Sequence, residues 1–282
     1  VWVSSCFGGL SAMAFVLRDL RAARHRERER RSRLAPGYLI ASIGLVVLGV
    51  AVTAARPSAL ALRLSPYKGL SYALQVPGAE LLSTKWNGHS RVDLVASPTI
   101  RSVPGLSYRY AGELPPQDGL FIDADDLSPV VELPLLAPSD AELGFADYVP
   151  TAAGYLMRSE GRVAVLSPRG GLELWVALRQ GVRHLVSVEP NPLVVEAVGD
   201  LYAVEGVELA QEDPRSFAGR SPQSYDLVVL PLTTPYRPIR SGAYSLAEDY
   251  RYTVEAFADY LGSLRADGLL VFSRWLQIPP SE

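Results

Sequence analysis

The chain has 282 residues, which is long enough for one large domain or two smaller ones that bury a hydrophobic core, and it is too apolar to be disordered throughout. The single cysteine excludes a disulfide scaffold and a zinc site built on several thiolates. Because the three histidines are far apart in the sequence, we predict no metal site. The net charge is −3, and the chain outside an arginine-rich segment is clearly acidic, so nucleic acid is not an expected partner.

The N-terminal part of the sequence is typical of a membrane protein. Leu34–Ala55 contains no charged residue, and as a helix at ~1.5 Å per residue it would span roughly 33 Å, enough for the core of a bilayer. Eight arginines lie in the preceding segment 18–33, which follows a first apolar run at residues 1–17. We therefore predict membrane segments with an arginine-rich loop at residues 1–56, and an integral membrane protein whose remaining part lies on an undetermined side.

Residues 57–143 predict a small β-rich domain. Turn signals at Pro77-Gly78 and Asn87-Gly88 separate short apolar runs. Acidic residues 123, 125 and 126 follow the last of these runs, where they would either face a cationic substrate or form a solvated turn. The expected strands are Tyr72–Val76, Glu80–Thr84, Arg91–Val95 and Gly119–Asp123.

Residues 144–282 alternate between apolar strands and helices. Such alternation predicts an α/β domain with a doubly wound, Rossmann-like parallel sheet covered on both faces. Because the chain starts with Val1 inside an apolar run and ends soon after a strand, we expect it to be part of a longer polypeptide, with this domain truncated at its C-terminus. The expected strands are Arg162–Leu166, His184–Val188, Val207–Ala210, Tyr225–Leu230 and Gly268–Ser273, and the expected helices are Gly171–Gln180, Pro192–Tyr202 and Leu246–Leu264.

The ends of three successive strands carry a candidate cofactor site, because ligands of such sheets bind at the carboxyl ends of the strands. Gly170 and Gly171 follow the first strand, where glycine lets the backbone approach a ligand. Glu189 ends the second strand and could accept both hydroxyls of a ribose. Asp213 follows the third strand and could accept from an adenine amino group. The alternative is a helix-entry turn with two surface acids.

The stretch from Gly170 to Glu189, together with Tyr225–Val229, 244–250 and Gly268–Val271, resembles the nucleotide-binding half of spermidine synthases. These are polyamine aminopropyltransferases on the class I S-adenosylmethionine-dependent methyltransferase fold. The resemblance covers roughly residues 65–282 and is similar in particular to membrane-fused spermidine synthase-like proteins. It implies that S-adenosylmethionine or its decarboxylated form binds at Gly170, Gly171, Glu189 and Asp213.

The sequence departs from this family where the chemistry of an amine substrate takes place. Ser167, Pro168 and Arg169 stand where the family has Gly, Gly and Asp. The family's catalytic Asp aligns with Pro231, and its second Asp aligns with Thr234. Since a protonated amine cannot attack before it loses its proton, aminopropyl transfer is not a safe prediction. Weak candidates for the catalytic role are Glu248, Tyr236 and Gln277.

Three hypotheses follow. The first is a membrane-anchored, spermidine synthase-like transferase in polyamine biosynthesis, with an amine or another small molecule as its substrate. The second is an S-adenosylmethionine-dependent methyltransferase with another acceptor. The third is a non-catalytic domain that binds a ligand or a partner for a membrane protein. A homodimer is one open expectation for the oligomeric state.

Overall fold

The computed structural model describes residues 35–55, 64–135, 138–233 and 250–275, and it describes the side chains of the first helix only at residues 40–51 and 54–55. The chain divides into two compact units, residues 1–63 and 64–282. Helix α1 (Ala35–Ala55) belongs to the first unit. The arginine-rich segment 18–33 and the first apolar run lie outside the described residues.

Helix α1 coincides with the predicted membrane segment but for its first residue. The helix contains no charged residue, and large apolar side chains such as Ile40, Leu45 and Val47 are exposed. Among the residues that the structure describes, no helix is both long and apolar enough to cross a membrane. The membrane span therefore stays a prediction.

The second unit begins with an antiparallel sheet, whose strands within residues 64–135 follow one another in the order β1-β2-β3-β4. The predicted strand Tyr72–Val76 is wrong: a short helix, α2, occupies this region because it places Leu70 in an apolar cluster with Val95 and Phe121. The sequence does not predict strand β4, which contains Pro129. Because Pro has no backbone N–H to donate to a sheet, it argues against a strand in a sequence pattern. The elements are α2 (Gly69–Ala73), β1 (Glu80–Trp86), β2 (Arg91–Ala96), β3 (Gln117–Ile122) and β4 (Asp126–Val131).

The remaining elements alternate between helix and strand, as predicted. The long C-terminal helix is shorter than expected within the described residues, because Thr253 caps its start with a bond from Ala256 N. The predicted helix Pro192–Tyr202 changes to a 3-10 turn after Val198. The elements are α3 (Ala152–Arg158), β5 (Arg162–Leu166), α4 (Leu172–Arg179), β6 (His184–Val188), α5 (Pro192–Val198), β7 (Val207–Ala210), α6 (Pro214–Arg220), β8 (Tyr225–Leu230), α7 (Val254–Ser263) and β9 (Leu264–Phe272).

Strands β5 to β9 form a parallel sheet in the order β7-β6-β5-β8-β9. Apolar clusters cover both faces, one around Trp175 and Val163 and the other around Tyr260 and Val228. This arrangement confirms the predicted doubly wound, Rossmann-like sheet. The strand order reverses between β5 and β8, which is the point where ligands of such sheets bind.

The antiparallel sheet packs against the α/β part within the same unit. Val194 of α5 lies in an apolar cluster with Val92 and Leu120 of the antiparallel sheet. In addition, Val130 of β4 forms an isolated bridge with Gly171, the residue before α4. The two sheets therefore meet at the loop that the sequence singles out as the candidate site.

Candidate functional site

The loop between β5 and α4 has an unusual backbone. Ser167, Arg169 and Gly171 have positive φ angles of 55°, 51° and 83°. A positive φ angle costs free energy for residues other than glycine, and it is found where the surrounding structure holds the backbone in place. The N–H of Ser167 donates to the carbonyl of Val188 at 2.7 Å, and the N–H of Gly171 donates to the carbonyl of Pro168 at 3.0 Å. The loop is thus tied to the end of β6 and closed on itself.

The two glycines of this loop are required by packing inside the protein. The N–H of Gly170 donates to Ser128 Oγ at 3.1 Å, and a Cβ at Gly170 would lie 2.2 Å from the carbonyl oxygen of Pro129. A Cβ at Gly171 would lie 2.5 Å from Leu201 Cδ2. The glycines therefore let the loop approach β4 and the turn after α5, rather than leaving room only for a ligand.

Glu189 lies directly beside this loop, at the end of β6. Its Oε2 accepts from the N–H of Arg169 and its Oε1 accepts from the N–H of Asn191, each at 3.1 Å. Burial raises the pKa of the Glu189 carboxyl above its ordinary value, while these hydrogen bonds and the charges of Arg169 and Arg251 oppose the shift. The structure thus brings Glu189 and the glycine loop together, as the strand-end argument expects.

The carboxylate of Glu189 has accepting capacity left, but it is covered. Each carboxylate oxygen has two lone pairs, so one further donor could bind at each oxygen. However, only 2% of Glu189 is exposed. A ribose that donates to this carboxylate must first displace part of the chain that covers it.

Asp213 lies at the same edge of the sheet, after β7, which pairs with β6. Its side chain caps α6, because Oδ1 accepts from the N–H of Ser216 at 2.9 Å. The residue is exposed. The structure thus gives Asp213 a local role as a helix cap, which the sequence also favours, since Asp is a preferred N-cap residue.

Arg169 bridges the ends of β5 and β8, where the strand order reverses. Its Nη1 donates to the carbonyl of Thr233 at 3.0 Å and lies 3.6 Å from Asp126 Oδ2. The hydroxyl of Tyr202 donates to the carbonyl of Arg169 at 2.7 Å. Asp126 therefore faces a cationic side chain of this chain, and a partly buried guanidinium stands where the resembled family has a carboxylate.

The end of β8 continues into Pro231, Leu232 and Thr233. The weak catalytic candidates Tyr236, Glu248 and Gln277 lie outside the described residues, as does Thr234. The described part of the site therefore consists of the loop after β5, Glu189, Arg169 and the first residues after β8.

A cavity of about 210 Å³ adjoins this site, and sequence reasoning missed its polar residues. It is lined by Pro168 and Pro231 at the strand ends, and by Glu173 and Thr151 on the helical side. Burial raises the pKa of the Glu173 carboxyl to about 7. The one signal in the sequence is an acidic residue, Glu173, in the first turn of a helix that is otherwise apolar up to Arg179 at its end.

Neither a protein-family model nor a curated protein sequence matches the chain. Its fold is similar to that of a spermidine synthase in complex with the transition state analogue AdoDATO, at 12% identity over 67% of this chain and 55% of that chain, with a TM-score of 0.44. It is also similar to spermidine synthase from Thermotoga maritima, at 13% identity over 67% and 54%, with a TM-score of 0.44. An S-adenosylmethionine dependent methyltransferase from Mesorhizobium loti matches at 16% identity over 45% and 52%, with a TM-score of 0.33. The chain thus spans about half the length of these proteins, and at these identities the likeness concerns the fold alone.

Proposed function

We propose that the α/β part of this protein binds S-adenosylmethionine or its decarboxylated form at the ends of β5 and β6, as a spermidine synthase-like transferase anchored to a membrane through Leu34–Ala55. The observation that carries the proposal is the contact between the Glu189 carboxylate and the backbone of the glycine loop. This contact puts an acceptor for ribose hydroxyls beside a loop of the kind that carries nucleotides in doubly wound folds.

The resemblance to spermidine synthases implies the roles of the residues. Gly170 and Gly171 would line the cofactor, Glu189 would accept from the ribose, and Asp213 would face the adenine. Since 2% of Glu189 is exposed, cofactor binding would require the covering chain to open.

Methyl transfer to a non-polyamine acceptor is a second candidate, and the position of Arg169 favours it. The guanidinium lies at the end of β8 and hydrogen-bonds the carbonyl of Thr233, close to Pro231, where the family has its catalytic Asp. This guanidinium lies 3.6 Å from Asp126, so the carboxylate beside this place already faces a cation of the protein. The first residues after β8 also offer no carboxylate that could take up the proton of an amine.

A non-catalytic domain of a membrane protein is the third candidate. The burial of Glu189 and the internal packing of the two glycines favour it, since both features complete the fold without a ligand. Protease protection of a tag placed after residue 60 would identify the side of the membrane on which this part lies, and an external position would argue against use of a cytosolic cofactor.

Calorimetry with both forms of the cofactor tests the proposal. We expect the full chain to bind at least one form, and Glu189→Ala to weaken binding by roughly 1.5–3 kcal/mol, the worth of hydrogen bonds to a charged group. Glu208→Ala is a matched control, because Glu208 is an exposed carboxylate on β7 that pairs only with Arg162 among the contacts described. Binding of neither form would reject both transferase hypotheses, and unchanged affinity in Glu189→Ala would reject the assigned ribose contact.

A further inference from the structure

The cavity of about 210 Å³ lies between the antiparallel sheet and the ends of β5 and β8. Its walls are largely apolar and include Leu127, Pro129, Val149 and Leu232. A water molecule takes up ~30 Å³ in the liquid, so the cavity is large enough for a small organic molecule. Within the described part of the chain, Glu173 is the only ionisable side chain in this wall, and mostly apolar walls with a few placed polar groups are typical of ligand sites.

The Glu173 carboxyl has one oxygen that a ligand can use. Its Oε1 accepts from the Tyr155 hydroxyl at 2.9 Å, whereas Oε2 has no donor of normal hydrogen-bond geometry among the described residues. Although only 6% of the residue is exposed, Oε2 is not one of the buried polar atoms that lack both a partner and accessible surface. This oxygen therefore remains accessible, on a residue that lines the cavity.

No positive charge of the described residues balances this carboxyl. None of their lysine, arginine or histidine side chains forms an ion pair with Glu173, and burial raises its pKa to about 7 without an opposing cation. The fully buried Asp93, by contrast, lies 2.7 Å from the guanidinium of Arg91. Because a buried charge is costly unless it is paired, a cation that enters the cavity would stabilise the ionised form of Glu173.

The wall favours a ligand with a single ammonium group. A second ammonium group would meet apolar side chains such as Leu127 and Val149, and it would find no further carboxylate in the described wall. The guanidinium of Arg169 does not line the cavity and lies 3.6 Å from Asp126, which balances part of its charge. A molecule with one ammonium group at one end of an apolar body therefore matches both the carboxylate and the rest of the wall.

We propose that the cavity binds a small primary amine, with one ammonium group on an apolar body, and that the Glu173 carboxylate is its counter-ion. An ion pair with Oε2 holds the ammonium group, while the body of the ligand packs against the apolar walls. The site requires no cofactor at Glu189, so the inference goes beyond the proposed function and is tested separately from it.

Titration of the full chain with three benzene derivatives at pH 8, followed by NMR, tests the ligand class. Benzylamine carries one ammonium group, benzyl alcohol has a hydroxyl in its place, and p-xylylenediamine carries two ammonium groups. We expect saturable binding of benzylamine, and binding of the other two probes that is at least tenfold weaker. Equal or tighter binding of the alcohol or of the diamine, or saturable binding of none of the three, would overturn the proposal.

Glu173→Gln provides a second measurement that separates a lost ligand contact from a lost fold. The variant removes the charge but keeps the size of the side chain, so benzylamine should bind about ten- to hundredfold more weakly at pH 8. Urea denaturation should show no loss of stability at this pH, because the buried carboxylate destabilises the parent chain. Glu205→Gln serves as the control, because Glu205 is exposed and does not line the cavity. Unchanged affinity in Glu173→Gln would reject the assigned counter-ion.

The pH dependence of binding distinguishes a counter-ion from a residue that only supports the fold. Tyr155 is the only titratable side chain of the described residues that hydrogen-bonds to the Glu173 carboxyl, and its own pKa is raised well above its ordinary value. Since the pKa of Glu173 is about 7, benzylamine should bind the parent chain roughly tenfold more tightly at pH 8 than at pH 6. The affinity of Glu173→Gln should stay constant over this range, and an equal pH dependence in both proteins would contradict the proposal.

Discussion

Glu173 owes its acid–base behaviour to burial. The carboxyl lies in the first turn of α4 and is 6% exposed, with the Tyr155 hydroxyl as its hydrogen-bond donor. Because the apolar surroundings disfavour the charged form, its pKa rises from 4.5 to about 7. The folded protein therefore holds this proton more tightly than the unfolded chain does.

This proton linkage predicts how stability depends on pH. Between about pH 4.5 and pH 7 the folded state binds more protons at Glu173 than the unfolded state, so this residue lowers stability as pH rises through that window. Glu173→Gln removes the effect, and the variant should gain stability relative to the parent chain by up to about 3 kcal/mol from pH 4.5 to pH 7. Urea denaturation of both proteins over this pH range measures the difference.

Asp118→Asn is a suitable control for this experiment. Burial and the charge of Glu132 raise the pKa of Asp118 from 3.8 to about 6, so its destabilising effect has the same sign but is complete at a lower pH. If the difference in free energy of unfolding between the parent chain and Glu173→Gln stays constant from pH 4.5 to pH 7, the fold does not hold Glu173 in its protonated form.

Two residues near the candidate site cap the helices that follow β6 and β7. Asn191 caps α5 by accepting from the N–H of Leu193, and its side-chain amide also donates to Ser90 Oγ in the antiparallel sheet. Asp213 caps α6 in the same way by accepting from the N–H of Ser216. Both residues come three positions after the end of a strand, so a side chain at this position can serve a helix, a ligand or both.

The cap role of Asp213 gives a prediction at the level of helix α6. Asp213→Ala should lower the free energy of unfolding by ~1 kcal/mol, because the N–H of Ser216 loses its acceptor. Asp213→Asn should leave stability nearly unchanged, since Asn caps helices about as well as Asp. Urea denaturation measures the free energy of unfolding of each variant. An equal loss of stability in both would mean that the charge of Asp213, and not its capping hydrogen bond, stabilises the start of α6.

The two sheets of residues 64–282 share contacts that make them one folding unit. The N–H of Gly170 donates to Ser128 Oγ of β4, and Val130 bridges to Gly171. Val194 of α5 joins the apolar cluster of β2 and β3. Neither sheet would keep these buried groups satisfied alone.

We therefore expect residues 64–282 to unfold in a single transition. Variants that keep only Trp86, in β1, or only Trp175, in α4, place a fluorescent probe in the antiparallel sheet or in the α/β part. Within each variant, the urea midpoint measured by fluorescence should coincide with the midpoint measured by circular dichroism, as a cooperative unit requires. Two separated transitions would show instead that the antiparallel sheet and the α/β part fold independently.

The sequence alone was sufficient to predict the parallel sheet, because its strands are uninterrupted apolar runs that have to be covered on both faces. Four of its five strands, for example Arg162–Leu166 and His184–Val188, have the predicted bounds, and the position of Glu189 beside the glycine loop follows from the direction of parallel strands. The helix Gly69–Ala73 and strand β4 could not be predicted, since their conformations depend on contacts with distant residues.

The tertiary structure alone decided what surrounds the candidate site. No local pattern indicates that β4 fills the space beside Gly170, that Arg169 reaches the carbonyl of Thr233, or that Glu173 and Thr151 share a cavity. These contacts join residues that are many positions apart, and burial, charge repulsion and the pKa of a carboxyl depend on such neighbours rather than on the residue type.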